Sequence, residues 1–535
     1  MTALRYALAW AIATATVTAQ SPLLITLSSG QGRVRGRDVS AATGQGDVTS
    51  TVRQWLGLPY AAPPLGAARW RPPAPPAPFP GTLNATEQRP LCMHPAVLDG
   101  ALPAGGNEDC LYLNVFAPAT TGQKKPVVVY FPGGGYMTSQ KKFNCTNLVA
   151  RTGMVYVVVQ YRIGPFGFFA SPAISDPAEQ DVTARLGLLD QQQALRWVHG
   201  NIGSFGGDPT AISIWGQSAG GGGVIFHMTL SMKESWPFFV SVVAESPYLQ
   251  PVGDNDTSAN DGALRWKRAV AQGRSLIDAV GCGKQEDNAS LARCLREVPA
   301  DAVNSALKVS QGLIFETPDA NWYPVFANAS HFPMARFLSG ETRPNTPILV
   351  GNNLNESDML AEFLDPEMVL PANQGELERA FVNLWGTGKA AGVLKAYNAS
   401  TDGSHRQAFF AAVSDSVFNC PVQRIVAAQG RQHRASSTVV FQYVFDGCAA
   451  PTMGATHGAE LPLVFAWGGW ELSNTTRAIS KEMVRLWSRF QRDGNPGPSW
   501  PPSENNKIMM IMRNGSFVVR TDSRRLGRCA VFAGI

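Results

Sequence analysis

Charge is scarce in this sequence. Only 16% of its 535 residues are Asp, Glu, Lys or Arg, and a formal balance of +5 is small for that length. No cluster of lysine or arginine carries interleaved aromatic residues, which excludes a nucleic-acid surface. After residue 20 no stretch reaches the roughly 18 consecutive apolar residues of a membrane-spanning helix. The end, Arg528-Cys-Ala-Val-Phe-Ala-Gly-Ile535, is no lipid-anchor tail. Internal repeats and low-complexity tracts are missing too, so solenoid and fibrous architectures drop out. Histidine is rare, with seven in the chain, and any search for a catalytic base is therefore short. What is present is a 44% hydrophobic fraction, the composition of a globular protein with a sizeable core.

The first residues speak to compartment. Met1–Ala19 has one positive charge at Arg5, an apolar stretch from Tyr6 to Val17, and small residues at Val17 and Ala19 ahead of Gln20. This reads as a signal peptide over 1–19, cut after Ala19. Eight cysteines fit an oxidising compartment, although spacing alone leaves their pairing open. Nine Asn-x-Ser/Thr sequons, at Asn84, Asn144, Asn255, Asn288, Asn328, Asn355, Asn398, Asn474 and Asn514, agree with a secreted glycoprotein.

Along the chain, residues 32–39 read as a short hairpin. A fully apolar strand follows at 127–131 and further apolar strands at 154–161, 239–245, 347–351 and 438–445, with a helix over 188–198. Apolar strands alternating with helices indicate a sheet buried on both faces, hence an α/β protein with crossover connections. The sheet-forming segments spread from 112 to 513 without a linker-like break, so residues 20–535 are expected to form one domain.

One stretch carries chemistry on its face. Ser213-Ile-Trp-Gly-Gln-Ser-Ala-Gly220 holds Gly-x-Ser-x-Gly between a β-rich run and a run of small residues that opens a helix. In that context the motif is a nucleophile elbow, in which flanking glycines let strand and helix close around a strained serine.

Glu108-Asp-Cys-Leu-Tyr-Leu-Asn114, Phe205-Gly-Gly-Asp-Pro209 leading into the elbow, and the Pro-Tyr-Ala-x-Pro-Pro segment after Gly57 together resemble the type-B carboxylesterase/lipase family, which includes cholinesterases and fungal extracellular lipases. The matching motifs run from about Gly57 to Cys529. The resemblance implies an α/β-hydrolase fold with a large, mostly parallel central sheet flanked by helices. It also implies hydrolysis of a carboxylic ester through a Ser-Glu-His triad, with no metal or other cofactor.

A serine hydroxyl is a weak nucleophile at neutral pH and needs a base, which in turn needs an orienting group. The fold's order is serine, acid, histidine. Ser218 is the expected nucleophile. His457, in Gly454-Ala-Thr-His-Gly-Ala-Glu460, matches the family's base, whereas His227 is expected to be a buried structural histidine. Glu356 falls on the acid position. The glycine usual after that acid is Ser357 here, which keeps Asp358 as a reserve. By the same match, backbone N–H groups of Gly134, Gly135 and Ala219 form the oxyanion hole, and Ser246 sits beside the triad. Where relatives often have histidine or an aromatic residue before those glycines, this chain has Pro132.

Substrate choice is addressed at two places. Gln217 precedes the nucleophile where the family often has glutamate, and a neutral amide there does nothing for a cationic substrate. The loop from Cys92 to Cys110 has only 17 residues between the cysteines, too few to cover a broad apolar trough, which favours an open esterase over a triacylglycerol lipase. The resemblance pairs Cys92 with Cys110, Cys282 with Cys294, and Cys420 with Cys529, and it leaves open whether Cys145 and Cys448 form a fourth bridge or stay buried thiols. A small-molecule or lipid-like ester is the expected partner. A non-catalytic adhesion protein on the same fold is the rival from another class, and such relatives typically lack the nucleophile present here.

Overall fold

The computed structural model describes residues 23–532 apart from 43–48, 97–103, 121, 139–142, 176–181, 250–260, 307–323, 326–335, 338, 360–369, 433–437, 448–453, 468–471, 505–506 and 522–526. The expected signal peptide therefore lies outside the described residues, as do His331, His433 and Cys448.

Fourteen strands are described. They are β1 (Leu24–Thr26), β2 (Arg33–Arg35), β3 (Arg37–Ala42), β4 (Thr49–Pro59), β5 (Thr82–Asn84), β6 (Tyr112–Pro118), β7 (Lys125–Phe131), β8 (Val155–Val159), β9 (Gly207–Gln217), β10 (Ser241–Glu245), β11 (Ile348–Asn353), β12 (Val440–Asp446), β13 (Lys507–Met512) and β14 (Phe517–Thr521). Eleven form one sheet in the order β14-β13-β12-β11-β10-β9-β7-β8-β6-β4-β3. From β8 across to β13 every neighbouring pair is parallel. Antiparallel pairs close both rims. The parallel strands β7, β8, β10 and β11 are valine- and isoleucine-rich because helices cover both faces of the sheet, and Val128, Val157, Val242 and Ile348 are all fully buried. Two hydrophobic layers result, one on each face.

The expected 32–39 hairpin is replaced by a change of sheet. β2 pairs with β1 and with β5 in a small three-stranded sheet, whereas β3 pairs with β4 in the large one. Gly36 sits at the crossing, where a side chain would collide with the Gln54 carbonyl and the Trp55 indole. The large sheet accordingly begins at residue 37, well before 112.

The parallel strands all end on one rim, and the loops that leave them carry the chemistry. Ion pairs brace one of these loops, the one after β8, and the segments that flank β4 and β6. Arg162, just past β8, binds Asp190 through Nη2 at 2.7 Å and Nε at 2.8 Å, and Arg69 binds Glu108 through Nε at 2.6 Å. Disulfides join Cys92 to Cys110, Cys282 to Cys294 and Cys420 to Cys529. Cys145 is a buried free thiol, so it forms no bridge. Among the described residues no helix is long and apolar enough to cross a membrane.

Candidate active site

β9 runs straight into the elbow. Ser218 follows its last residue with φ 57° and ψ −123°, and the helix Ala219–Met228 starts one residue later. Such a backbone costs about 1–3 kcal/mol and persists only where its surroundings hold it. Here they do. Ser218 N donates to Glu245 O at 2.9 Å, while Ser218 O accepts from Gly222 N at 2.8 Å and Tyr248 N at 2.9 Å. A side chain on Gly216 would collide with the Gly220 backbone, and one on Gly220 with the Phe131 carbonyl. The two motif glycines thus permit the close approach of strand, helix and neighbouring loop.

That neighbouring loop leaves β7 through Pro132 to Tyr136. Gly134 and Gly135 have φ of 126° and 61°. A Cβ on Gly133 would stand 2.9 Å from Ser218 Cβ, so the glycine loop lies directly against the serine. The loop's first carbonyl, that of Pro132, accepts from the Tyr161 hydroxyl at 2.6 Å, which supplies a support the sequence did not reveal. Ala219, as the first residue of its helix, has an N–H without an acceptor in the preceding turn, and the helix dipole adds positive potential there.

β11 ends at Asn353, and the short 3-10 turn Glu356–Met359 follows. Glu356 is fully buried. Its Oε2 meets His457 Nδ1 at 2.7 Å. The other oxygen, Oε1, accepts from Ser246 Oγ at 2.6 Å and from Asn353 N at 2.6 Å. Three donors on one carboxylate fix its place. Asp358, the reserve, is exposed as a residue, whereas its carboxyl is partly desolvated, and that desolvation outweighs Arg406 in holding it above the usual range. Ser357 has a use of its own. Its hydroxyl donates to the Phe410 carbonyl at 2.5 Å and accepts from the Ser414 hydroxyl at 2.6 Å, while its N–H donates to Ser414 Oγ at 3.0 Å.

His457 arrives on the loop after β12. With Nδ1–H given to Glu356, its Nε2 carries the lone pair and faces the elbow. The Gln217 amide reaches that nitrogen at 3.2 Å. The Phe418 ring lies over the imidazole with centroids 4.6 Å apart, carried on the π-helical segment Asp415–Asn419. Such segments recur at functional sites. His227 is elsewhere. It is buried between Ser235 Oγ at 2.9 Å and Gln191 Oε1 at 3.0 Å, and burial pushes its pKa down to about 3.

Two carboxyls behind the site carry no motif of their own. Glu460 lies three residues past His457, is fully buried and receives the Asn353 side-chain amide. Glu245 ends β10 and accepts from Trp215 Nε1 at 2.9 Å and Trp487 Nε1 at 2.6 Å. Burial, and after it the neighbouring carboxylate, raises both above the ordinary range. Only the spacing of Glu460 from His457 could have flagged either.

Comparison with known proteins adds three relatives and a family. A model of the carboxylesterase family matches residues 21–528. The chain is 28% identical to the pyrethroid hydrolase Ces2e of Rattus norvegicus over 512 residues, covering 89% of this chain and 84% of that protein. It is 30% identical to the fumonisin B1 esterase of Sphingopyxis macrogoltabida over 489 residues, with 86% and 84% covered. It is 27% identical to the acetylcholinesterase of Bungarus fasciatus over 564 residues, with 95% and 85% covered.

Proposed function

The chain belongs to the carboxylesterase family and is a carboxylic ester hydrolase acting on small ester molecules, and we propose that it is a secreted single-domain serine esterase using Ser218, His457 and Glu356. The observation that carries this reading is the 2.7 Å bond between Glu356 and His457 Nδ1, which turns Nε2 toward the elbow that bears Ser218.

In the proposed reaction Ser218 Oγ attacks the ester carbonyl and its proton passes to His457 Nε2. The tetrahedral oxyanion is received by the N–H groups of Gly134, Gly135 and Ala219, each worth roughly 3 kcal/mol in the transition state. His457 then protonates the departing alcohol, and water attacks the acyl-Ser218 ester by the same steps in reverse. Glu356 holds the imidazole tautomer and stabilises the imidazolium. Ser246 and the Asn353 N–H hold Glu356 in turn.

Gln217 gives the site no negative charge beside the nucleophile, which suits neutral short- to medium-chain or bulky esters better than cationic ones. The short Cys92–Cys110 loop, pinned by paired Cα partners at His94 and Gly105, favours an open site. Secretion is supported by the three disulfides and the leader-like first nineteen residues.

The test is turnover of a p-nitrophenyl ester by the wild type and by Ser218→Ala. The variant is expected to lose about 10⁴-fold or more in kcat, because nucleophile and base act as a unit. Equal rates would remove Ser218 from the reaction. On emulsified long-chain triglyceride the wild type is expected to show no jump in rate at the solubility limit; a jump would make it a lipase.

A further inference from the structure

One lone pair must serve two partners in this site. With Nδ1–H donated to Glu356, the imidazole of His457 has a single acceptor, Nε2. The proposed chemistry requires that acceptor for the Ser218 hydroxyl. In the structure it is taken by the Gln217 side chain at 3.2 Å, and among the described residues no hydrogen bond joins Ser218 Oγ to it. The tautomer decides which Gln217 atom is involved, because a lone pair accepts only from the amide N–H.

The Gln217 amide is held in this position. It is buried, and its oxygen is crowded by the glycine loop, since a Cβ on Gly133 would come 3.0 Å from Gln217 Oε1. Its nitrogen lies against the base loop, where a Cβ on Gly458 would come 3.7 Å from Gln217 Nε2. The carboxamide therefore spans the gap between oxyanion loop and base loop, directly beside the nucleophile.

We propose that Gln217 is a positioning residue that parks the His457 base in its neutral form. Its N–H occupies Nε2 in the resting enzyme and yields it to Ser218 Oγ when substrate enters. The inference rests on the reading of Ser218, His457 and Glu356 given above. Its physical content is selective: an amide N–H can bond the neutral imidazole but not the imidazolium, so it favours the unprotonated base. A glutamate in its place would do the reverse, accepting from Nε2–H and holding the base protonated. The neutrality of Gln217 thus serves the base as well as the pocket.

Among the described residues the groups facing His457 from the packed elements are few. Glu356 comes from the turn after β11, and Glu460 from the base's own loop with Glu245 behind it. The elbow brings Gln217 and Ser218, the end of β10 brings Ser246, and the π-helical segment brings the uncharged Phe418. Replacements at Gln217 leave the other charges in place.

The experiment is the pH dependence of kcat/KM on a neutral p-nitrophenyl ester for wild type, Gln217→Leu and Gln217→Glu, with Ser218→Ala alongside. The acid limb is expected to lie lowest for wild type, higher for Gln217→Leu, and highest for Gln217→Glu, the last shifted upward by about one pH unit or more because an opposite charge then faces the imidazolium. A merely structural role would lower kcat/KM by a constant factor and leave the limb in place, and that result overturns the proposal. Gln217→Met keeps the length of the side chain without its N–H, so its acid limb decides in the same way if Gln217→Leu does not fold. Undiminished turnover by Ser218→Ala would instead overturn the underlying reading of the site, and the two failures are separable.

Discussion

Glu245 and Ser246 are neighbours at the end of β10 that serve opposite sides of the sheet. Ser246 reaches Glu356 with its hydroxyl, while Glu245 turns to the indoles of Trp215 and Trp487. Burying a carboxyl disfavours its charged form, and Glu460 adds a second such group against Glu356. The sign of the resulting pH effect follows from linkage. A carboxyl whose native pKa is raised keeps its proton in the fold after the unfolded chain has released its own, at an ordinary value of about 4.3. Folding stability due to that group is therefore full below the unfolded pKa and falls as pH rises through the raised one. Glu460→Gln keeps an oxygen for the Asn353 amide and removes the titration. Urea unfolding between about pH 5 and 8 is expected to show wild-type stability declining with pH and a flatter profile for the variant; parallel profiles would mean Glu460 stays ionised in the fold.

At the scale of elements, acid and base are braced by one helical stretch. The helix His405–Ser414 presents the Phe410 carbonyl and the Ser414 hydroxyl to Ser357, next to the acid. Its continuation, the π-helical Asp415–Asn419, lays Phe418 on His457. A serine in place of the customary glycine thus couples the acid turn to the element that supports the base. Ser357→Ala would leave the Phe410 carbonyl and the Ser414 hydroxyl buried and underbonded, at a cost of about 1–3 kcal/mol. Kinetics are expected to show kcat falling more than KM rises, since the disturbance reaches acid and base and not the binding walls. Ser414→Ala should reproduce much of the effect, and the double variant should cost less than the sum because both lose the same contact. Strict additivity in unfolding free energy would sink the coupling.

The whole molecule was legible in the sequence where one period or one motif dominated. β7, β8, β10 and β11 read as continuous apolar runs because burial on both faces leaves no polar alternation to confuse them. The elbow, Glu356 and His457 were legible because each sits in a short motif just after such a strand. β3 and β4 were not, because Arg37, Ser40, Thr49 and Arg53 make a rim strand pair look like loop. Tyr161 under Pro132, Asn353 on Glu460 and Phe418 on His457 depend on contacts between residues distant in sequence, which no local pattern encodes. The same kind of distant contact governs the chain's end. Cys420, one residue beyond the segment that carries Phe418, is bonded to Cys529 across a separation of 109 residues. The tail is clasped besides by Arg528 to Asp402 at 2.6 Å, by the Arg424 guanidinium on the Phe532 carbonyl, and by Phe532 against Trp385 and Tyr397. A loop this long is where a disulfide restricts the unfolded chain most, by about 4 to 5 kcal/mol in the chain-entropy model. The Cys420→Ala/Cys529→Ala variant is therefore expected to unfold at a clearly lower urea midpoint with an altered slope, since the released unfolded chain exposes more surface. At low temperature it should keep most of its esterase activity, because the clasp around Phe532 still seats the tail. Loss of activity ahead of global unfolding would mean that the bond, and not the clasp, holds Phe418 against the base.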